Sequence, residues 1–595
     1  MQVCVSAFAI VALAQGARAA TIPVPAGGDL QGALVAAQPG DTILLQAGAT
    51  YVGNFTLPNK GGASFITVQT GGGGLAGEGA RIGPGAPLAK LRSPNGAPAL
   101  ATAPGAHHWR LVLLEFLANA GGAGDIIALG DGSSAQRSLA DVPRELIVDR
   151  CYIHAEPGSP QKRGIALNSA ATTITGSFIS DMKAVGQDSQ AIAGWNGPGP
   201  FTITNNYLEG AGENLIFGGG DPAIPGLVPS DITISENTFV KQTAWRSQNW
   251  VVKNLLELKN ARRVSIDGNS FEYNWQGGQS GFAILFTVRN QDGGCPWCQV
   301  EQVTFQNNTV RHVAAGVSIL GYDDNASSRQ TRAIVIRNNV FADIDTAAWG
   351  GNGYFVMLLG GPRDVTIDHN TVIQENAYGV LTVDGPPVLG FVFTNNIVRQ
   401  MAYGMIGTDR APGNDTIGAF FPGARIAGNV IADADPSRYP AGNRFPSFGD
   451  FRAQFVAYAA GDYRLVAASG WRGAATDGLD IGVVGGGPIA PAPGPGHPAP
   501  PPEPAPRTIS LAGTLSEGVV GVAYAASLTA GGGEPPYTWS VAGALPLGLG
   551  FDRASGTLAG MPQQSGVFPI LITVADSQSS PAHVSVHATL TVAPR

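Results

Sequence analysis

A short phrase recurs ten times between residues 147 and 429: a large apolar residue, two further residues, and then a turn residue. The turn residues are Arg150, Ser177, Asn206, Asn237, Asn269, Asn308, Asn339, Asn370, Asn396 and Asn429. The steps between them are 27, 29, 31, 32, 39, 31, 31, 26 and 33 residues. This spread is typical of one supersecondary unit repeated with loops of variable length. The sequence therefore predicts a solenoid.

The repeating unit is predicted to consist of strands. Each unit carries two or three runs of alternating apolar and polar residues, and no amphipathic stretch is long enough for a helical repeat. A sharp turn once per coil favours a residue that tolerates the left-handed region, and a short amide side chain can bond its equivalent one coil away. Asn is the turn residue in eight of the ten units. We therefore expect a stacked asparagine ladder.

With these features the chain resembles the right-handed parallel β-helix superfamily, the pectate-lyase-like fold, over residues 22–485. Residues 26–34, followed by residues 39–43, resemble the capping helix and first strand of such proteins. Residues 186–192 and 253–261 resemble blocks found in secreted bacterial β-helix proteins. The resemblance implies an all-β chain, and it is specific for fold rather than for chemistry.

The ends of the chain have a different composition from the repeats. Residues 1–20 are interpreted as a signal peptide, because an apolar run is followed by Ala17-Arg18-Ala19. We expect the β-helix at residues 21–482, a Pro-rich linker at 483–507 and an Ig-like β-sandwich at 508–595. The last segment resembles Ig-like modules appended to bacterial surface and secreted enzymes. The protein is predicted to be secreted or periplasmic, or attached to the cell surface, and to be a monomer.

Charge and hydropathy exclude several classes of partner. The formal net charge is −8, which disfavours nucleic acid and anionic membranes. No segment after the signal peptide reaches the roughly 20 apolar residues that a membrane span needs. Between Lys241 and Arg311, however, there are eight basic residues and five acidic ones, so the sign of the charge reverses locally.

The spacing of Cys295 and Cys298 fits a redox pair, a metal pair or a disulfide. The βαβ context of a thioredoxin-type site is missing. In an exported protein we expect a disulfide that staples a loop.

Candidate catalytic residues lie on the strand that precedes one of the repeated phrases. Stacking such strands gives a parallel sheet whose outer face forms a groove. If Leu256 and Leu258 point inward, Glu257 and Lys259 must both point outward. Arg289 follows one coil later and is expected near Lys259 or Glu257.

Polar and aromatic residues concentrate in the same third of the chain. The candidate substrate-binding residues are Asp188, Gln190, Trp195, Asn196, Glu213, Asn254, Trp250 and Trp275. Aromatic faces beside a polar groove suit the packing of sugar rings. A structural interpretation stays open for each: Glu257 and Lys259 as a surface pair, the tryptophans as caps of long loops, and Asn196 as part of a second polar ladder.

Two enzymatic reactions would suit such a groove. β-Elimination of an acidic polysaccharide needs a neutralised carboxylate and a base. Lys259 would be the base and Arg289 the carboxylate clamp, with Glu213, Glu257 or Asp221 as Ca²⁺ ligands; this disposition is similar to calcium-dependent β-helix lyases acting on alginate and dermatan.

Hydrolysis instead needs two carboxylates, which Asp188, Glu213, Asp221 and Glu257 could supply. The signatures Asn-Thr-Asp, Gly-His-Gly and Arg-Ile-Lys of polygalacturonases are missing, which disfavours a familiar pectinase. A non-catalytic glycan-binding or adhesive surface protein is the third candidate. The concentration of polar, aromatic and basic residues between Asp188 and Trp297 favours an enzyme, with a lyase preferred to a hydrolase.

Overall fold

The computed structural model describes residues 19–485, 510–532, 535–542, 545–577 and 583–595. The chain divides into two compact units, Met1–His497 and Pro498–Arg595. Residues 1–18 of the predicted signal peptide and most of the predicted Pro-rich linker lie outside the described residues. No helix in the described ranges is long and apolar enough to cross a membrane.

The first unit is a solenoid of three parallel sheets, which the chain visits in the order A, B, C in each coil. Sheet A consists of Thr21–Val24, Thr42–Leu45, Ile66–Thr70, His107–Val112, Arg144–Asp149, Ala170–Thr175, Phe201–Thr204, Ser230–Ser235, Ala261–Asp267, Val300–Gln306, Arg332–Arg337, Arg363–Asp368, Val392–Thr394 and Arg425–Ala427. Sheet B consists of Thr50–Val52, Ala89–Arg92, Leu114–Leu117, Tyr152–His154, Phe178–Met182, Tyr207–Gly210, Thr238–Val240, Ser270–Asn274, Thr309–Val313, Val340–Asp345, Thr371–Glu375, Ile397–Arg399 and Val430–Ala432. Sheet C consists of Phe55–Leu57, Leu100–Thr102, Asp125–Leu129, Arg163–Leu167, Gln190–Gly194, Glu213–Phe217, Asn254–Leu258, Phe282–Thr287, Ala315–Leu320, Val356–Leu359, Leu381–Asp384 and Met405–Gly407.

Inward-pointing aliphatic and aromatic side chains fill the solenoid and stack coil upon coil. In sheet C, Ile165, Ile192, Leu215, Leu256 and Ile284 are paired in register and buried. Each such side chain contributes roughly 1.5–3 kcal/mol when fully removed from water. The strands that the sequence predicts to form the groove are those of sheet C.

The asparagine ladder lies in the turn between sheets A and B. Asn308 Nδ2 donates to the carbonyl of Ile266 at 3.0 Å and to Asn339 Oδ1 at 3.1 Å, while its own Oδ1 accepts from the backbone N–H of Asn269 at 2.9 Å. The same pattern connects the ladder from Asn206 to Asn429 and continues to Asn443. The amide groups thus pair buried backbone groups that the turn would otherwise leave unsatisfied.

Two details of the predicted ladder are wrong. The left-handed residue is the one before each ladder position, with φ of 55° at Asn205 and at Asn307, because that residue makes the bend while the next side chain points inward. In the first unit Arg150 is this left-handed residue, with φ of 52°. The ladder position there is Cys151, a buried residue with a free thiol. Its backbone N–H donates to Ser177 Oγ at 3.0 Å.

Short helices and irregular segments close the solenoid. The N-terminal helix Leu30–Ala36 is capped by Asp29, whose Oδ1 accepts from the Gly32 N–H at 2.8 Å. Strand Thr21–Val24 precedes this helix, so the strand expected to be first is the second. The other helical segments are Ala120–Gly122, Thr243–Ser247, Thr346–Trp349, Asn414–Phe420, Pro436–Arg438, Phe448–Arg452 and Tyr458–Ala460, and the hairpin Phe455–Ala457 with Asp462–Leu465 lies at the C-terminal end.

The second unit is a small β-structure with a core around Leu528, Trp539 and Val574. Its strands are Ser510–Ala512, Gly518–Val519, Tyr524–Ser527, Thr529–Gly531, Thr538–Ala542, Leu549–Asp552, Thr557–Gly560, Gly566–Ala575 and His583–Ala593. Apart from the parallel pair of Gly518–Val519 with His583–Ala593, these strands pair antiparallel. This is the β-sandwich type of unit that the sequence predicts.

Candidate functional site on the outer face of sheet C

One carboxylate interrupts an otherwise uncharged row on the outer face of sheet C. In register order the row is Ala166, Ala193, Ile216, Glu257, Leu285, Ser318, Met357, Thr382 and Ile406. Glu257 points outward because Leu256 and Leu258 fill the core on either side of it. A charged side chain in a row of stacked small and apolar residues is costly unless it is paired, which marks Glu257 as unusual.

A second outer row, at the start of the same strands, is a continuous polar chain. Arg163 Nη1 donates to Asp125 Oδ1 at 2.8 Å and Arg163 Nε donates to Gln190 Oε1 at 3.0 Å. Gln190 Nε2 then donates to Glu213 Oε2 at 2.9 Å. Asn254 is paired with Glu213 on the next strand, and its Nδ2 donates to Glu257 Oε2 at 3.2 Å. The two rows therefore meet at Glu213, Asn254 and Glu257.

Glu213 is the most perturbed group at this junction. Its side chain has 0% exposure. Burial, together with the negative charges of Glu257 and Asp188, raises the pKa of Glu213 to about 7, although Lys253 and the Gln190 hydrogen bond act in the opposite direction. A carboxyl group with such a pKa holds a proton near neutral pH.

Two buried oxygen atoms at the junction have no hydrogen-bond partner. They are Glu213 Oε1 and Asn254 Oδ1, which belong to residues directly opposed on neighbouring strands. An unsatisfied buried acceptor costs roughly 1–3 kcal/mol. A hydroxyl or water hydrogen, or a proton on the carboxyl group itself, would satisfy either atom.

Lys253 and Asp188 cover Glu213. Lys253 Nζ contacts the carboxylate of Asp188, which is 40% exposed, and lies 3.7 Å from Glu213 Oε1. Burial acts against the ammonium group, but Glu213 and Asp188 together raise the pKa of Lys253. Lys253 thus lies between Glu213 and the exposed Asp188.

Lys259 and Arg289 lie on adjacent coils, as expected. The backbone N–H of Arg289 donates to the carbonyl of Lys259 at 3.0 Å. Lys259 Nζ lies 3.6 Å from Glu257 Oε1. The Arg289 guanidinium is held by Asp323 and Asp324, with Nη1 2.5 Å from one oxygen of each. Arg289 therefore already has carboxylate partners.

The predicted aromatic and amide residues are only partly in the groove. Trp195 is half-buried at its edge, with the Arg163 guanidinium 5.1 Å from its ring. Trp250 and Trp275 pack with Trp245, Val252 and Trp349 in a separate apolar cluster, and Trp275 is 7% exposed. Asn196 is fully buried; its backbone N–H donates to Asn168 Oδ1 at 2.9 Å, and its side chain bonds the backbone of residues 131, 136 and 224.

The acidic residues considered for calcium have protein partners in this structure. Asp221 accepts the backbone N–H groups of Gln291, Asp292 and Gly294, and so anchors a loop rather than joining Glu213. In the same loop Cys295 and Cys298 are joined by a disulfide. Glu213 and Glu257 each have an ammonium group beside them, which fits a divalent cation poorly. Among the described residues no group of three or more His, Cys, Asp or Glu side chains is arranged to hold a metal ion.

Sequence reasoning missed several members of the site and overestimated its positive charge. Arg163, Lys253, Gln279 and the Asp323–Asp324 pair all contact predicted site residues. These residues share a position on or near a strand of sheet C. Their proximity to the predicted site depends on the register between strands that are distant in the sequence. The local basic excess is scattered, since Arg262 and Arg263 lie on sheet A and Arg311 lies on sheet B.

The strand that carries Glu213 is anchored by a buried lysine. Lys241 Nζ lies 2.6, 3.0 and 3.1 Å from the carbonyl oxygens of Gly210, Ala211 and Gly212 and 3.0 Å from Asn214 Oδ1, so its N–H groups are shared among four acceptors. Burial lowers the pKa of Lys241 to about 7, while Glu213 and Glu209 act to raise it. Lys241 therefore fixes the turn that leads into strand Glu213–Phe217.

Comparison with known families agrees with this architecture. Residues 202–398 match the family described as "Right handed beta helix region". The solenoid is a right-handed parallel β-helix. Residues 505–593 match the family described as "Putative Ig domain". No curated protein matches the sequence.

Several solved structures are similar to this chain at low identity. A PL6 family alginate lyase is 14% identical with a TM-score of 0.48, covering 84% of this chain and 61% of the lyase, so the chain spans less than two thirds of that protein. The DFA-IIIase of Arthrobacter chlorophenolicus A6 without its lid is 12% identical with a TM-score of 0.35, covering 69% of this chain and 88% of that one. A family 28 exopolygalacturonase of Yersinia enterocolitica is 10% identical with a TM-score of 0.34, covering 72% and 78%.

Proposed function

We propose that the protein cleaves a polysaccharide on the outer face of sheet C by hydrolysis, with Glu213 as the general acid. The observation that carries this proposal is the fully buried carboxyl group of Glu213, whose Oε1 has no hydrogen-bond partner; burial and the neighbouring carboxylates raise its pKa to about 7. Hydrolysis of a glycosidic bond needs one protonated and one ionised carboxyl group, and their environments must differ. Its place of action would be the periplasm or the exterior of the cell, as the signal-like start predicts.

The geometry assigns distinct tasks to the groups around Glu213. Oε2 is occupied by the Gln190 amide, so Oε1 is the atom free to hold the proton and donate it to the leaving-group oxygen. Glu257, on the next strand, is the candidate for the second carboxylate, acting on water or on the sugar carbon. Lys253 must move aside for a sugar to reach Glu213, since it lies between Glu213 and the exposed Asp188.

The balance of charge favours a neutral or weakly charged polysaccharide. The ion pairs of the site contain four cationic side chains against six acidic ones. The cations are Arg163, Lys253, Lys259 and Arg289, and the acids are Asp125, Asp188, Glu213, Glu257, Asp323 and Asp324. A polyanion would therefore gain no net attraction from this face.

β-Elimination is the second candidate, and one observation favours it. Lys259 is partly exposed, at 16% of its side chain, and Arg289 follows directly on the next coil. Lys259 could act as the base on an acidic polysaccharide if Glu257 gave up its ion pair, and Arg289 could bind the uronate carboxylate if it left Asp323 and Asp324. Elimination thus breaks the ion pairs of both Lys259 and Arg289, whereas hydrolysis displaces Lys253 alone, which is why hydrolysis ranks first.

The products distinguish the two reactions. The protein would be incubated with xylan, β-glucan, alginate, polygalacturonate and chondroitin sulfate, with Ca²⁺ or with EDTA, and assayed for reducing ends and for the ultraviolet absorbance of unsaturated uronates. Hydrolysis predicts reducing ends without absorbance, loss of activity in Glu213→Gln, and retained activity in Lys259→Ala. Absorbance that disappears in Lys259→Ala would instead establish the lyase. Retention on a glycan column without any product would indicate a binding protein.

A further inference from the structure

We infer that exposed tyrosines on the C-terminal coils form binding subsites for sugar rings, extending the groove beyond the junction of Glu213 and Glu257. The exposed residues are Tyr378 and Tyr403, and they adjoin the buried Tyr354; each of the three lies in the turn that leads into a strand of sheet C. This inference rests on the proposed function, because it takes the ligand to be the polysaccharide that the site would cleave. It concerns a part of the surface where no catalytic residue is assigned.

The three tyrosines form a column from coil to coil, the tyrosine stack, in which each ring meets the next edge to face. The ring centroids of Tyr354 and Tyr378 are 6.3 Å apart, and those of Tyr378 and Tyr403 are 6.4 Å apart, with interplanar angles of 82° and 81°. The backbone N–H of Tyr403 donates to the carbonyl of Tyr378 at 2.7 Å, which fixes the two residues in register. The three residues therefore follow the coils of the solenoid, while each ring lies nearly perpendicular to the next.

The stack is anchored at one end and open at the other. Tyr354 is 8% exposed and packs on Phe282, Leu285 and Ala315 of sheet C. Tyr378 and Tyr403 are 52% and 45% exposed. Two large rings left in water on neighbouring coils are more typical of a contact surface than of a core.

The surface beside the stack suits the apolar face of a sugar. On the outer face of sheet C, Met357, Thr382 and Ile406 are in register with one another and half-buried. Tyrosine rings offer a flat apolar face together with a polar tip, a combination that matches the alternation of C–H and O–H groups on a pyranose ring. The same sheet carries Glu257, so one extended chain lying along the solenoid axis could reach both places.

Because the tyrosines lie several coils from Glu257, their contribution to binding should depend on the length of the polysaccharide. Strand Val356–Leu359 is three coils from Asn254–Leu258, and strand Met405–Gly407 is five coils away. At about 4.8 Å per coil these distances are roughly 14 and 24 Å. Short oligosaccharides bound at Glu213 would not reach Tyr403, whereas long chains would.

Binding to the uncleaving variant Glu213→Gln tests the inference separately from catalysis. We would measure the retardation of Glu213→Gln by xylan, β-glucan, alginate, polygalacturonate and chondroitin sulfate in affinity electrophoresis, alone and combined with Tyr378→Ala plus Tyr403→Ala. The alanine changes are expected to weaken binding of the best polymer by at least about fivefold. The matched variant Tyr378→Phe plus Tyr403→Phe keeps the ring faces and should bind within about twofold. Tyr322→Ala removes a ring of similar exposure, 46%, at the opposite end of a sheet C strand and should change nothing.

Equal binding of the alanine and phenylalanine variants would overturn the inference, as would a wild-type protein that binds no polymer of the panel. A change in sedimentation of the alanine variant without a change in binding would assign the rings to contact between copies of the chain and would also overturn it. Because these measurements use an uncleaving variant, absence of cleavage by the wild type would count against the proposed hydrolysis alone.

Discussion

At the scale of single residues, the fold gives Glu213 properties that the sequence does not reveal. In the sequence it is one of several acidic residues near the groove. In the fold it is fully buried, one oxygen is bound by Gln190, and the other has no partner. These properties depend on Asp188, from the coil before Glu213, and on Lys253 and Glu257, from the coil after it, and so only the fold reveals them.

The raised pKa of Glu213 predicts a dependence of stability on pH. Its value is about 7 in the folded chain against an ordinary 4.5, so the folded chain holds a proton between these values that the unfolded chain releases. This contribution is fully present below pH 4.5 and is lost as the pH rises through 7. Urea unfolding should show wild type losing on the order of 1–3 kcal/mol from pH 5 to pH 7.5 relative to Glu213→Gln. Parallel pH curves for the two proteins would contradict the assignment.

At the scale of the element, the asparagine ladder was predictable because its cause is local. The turn recurs at every coil, and the amide side chain that satisfies it can be read directly from the spacing of Asn residues. The strand with Glu257 facing outward was predictable for the same reason, since alternation follows from the strand itself. The roles of Trp275 and Asn196 were not, because the loops that bury them are set by contacts between distant residues.

Removing one member of the ladder should be strongly destabilising. Asn308→Ala leaves the buried carbonyl of Ile266 and the N–H of Asn269 without partners. We expect a loss of about 2–5 kcal/mol in the free energy of unfolding, from two unsatisfied groups and a small cavity. Asn325→Ala, in an exposed turn, is the matched control and should cost less than about 0.5 kcal/mol in the same urea titration. Similar values for both variants would show that the ladder does not stabilise the coil.

At the scale of the whole molecule, the chain is a β-helix followed by a separate small β-unit. All residues assigned to cleavage and to sugar binding lie in the first unit. The change to a Pro-rich composition at residues 483–507 predicts a division there, and the two compact units divide between residues 497 and 498. The site was only partly predictable, because a solenoid brings together residues from coils 20 to 40 positions apart and loop lengths vary between coils.

The second unit should be dispensable for cleavage. A chain that ends at residue 485 retains all three sheets and the C-terminal hairpin of the first unit. We expect it to unfold at the same urea concentration as the β-helix of the full chain, and its kcat on a soluble oligosaccharide should be unchanged. A large fall in kcat with the fold intact would place part of the catalytic machinery in the second unit.

The measurement that tests the central claim most directly is the pH dependence of kcat/KM for polysaccharide cleavage by wild type and by Glu213→Gln. Because Glu213 must be protonated to act as the acid, activity should fall tenfold per pH unit above an apparent pKa of about 7. Glu213→Gln should lower kcat/KM by at least about a hundredfold and abolish this alkaline limb of the pH profile. A wild-type rate that keeps rising above pH 8, or an unchanged limb in Glu213→Gln, would contradict the role of Glu213 and point instead to a base such as Lys259.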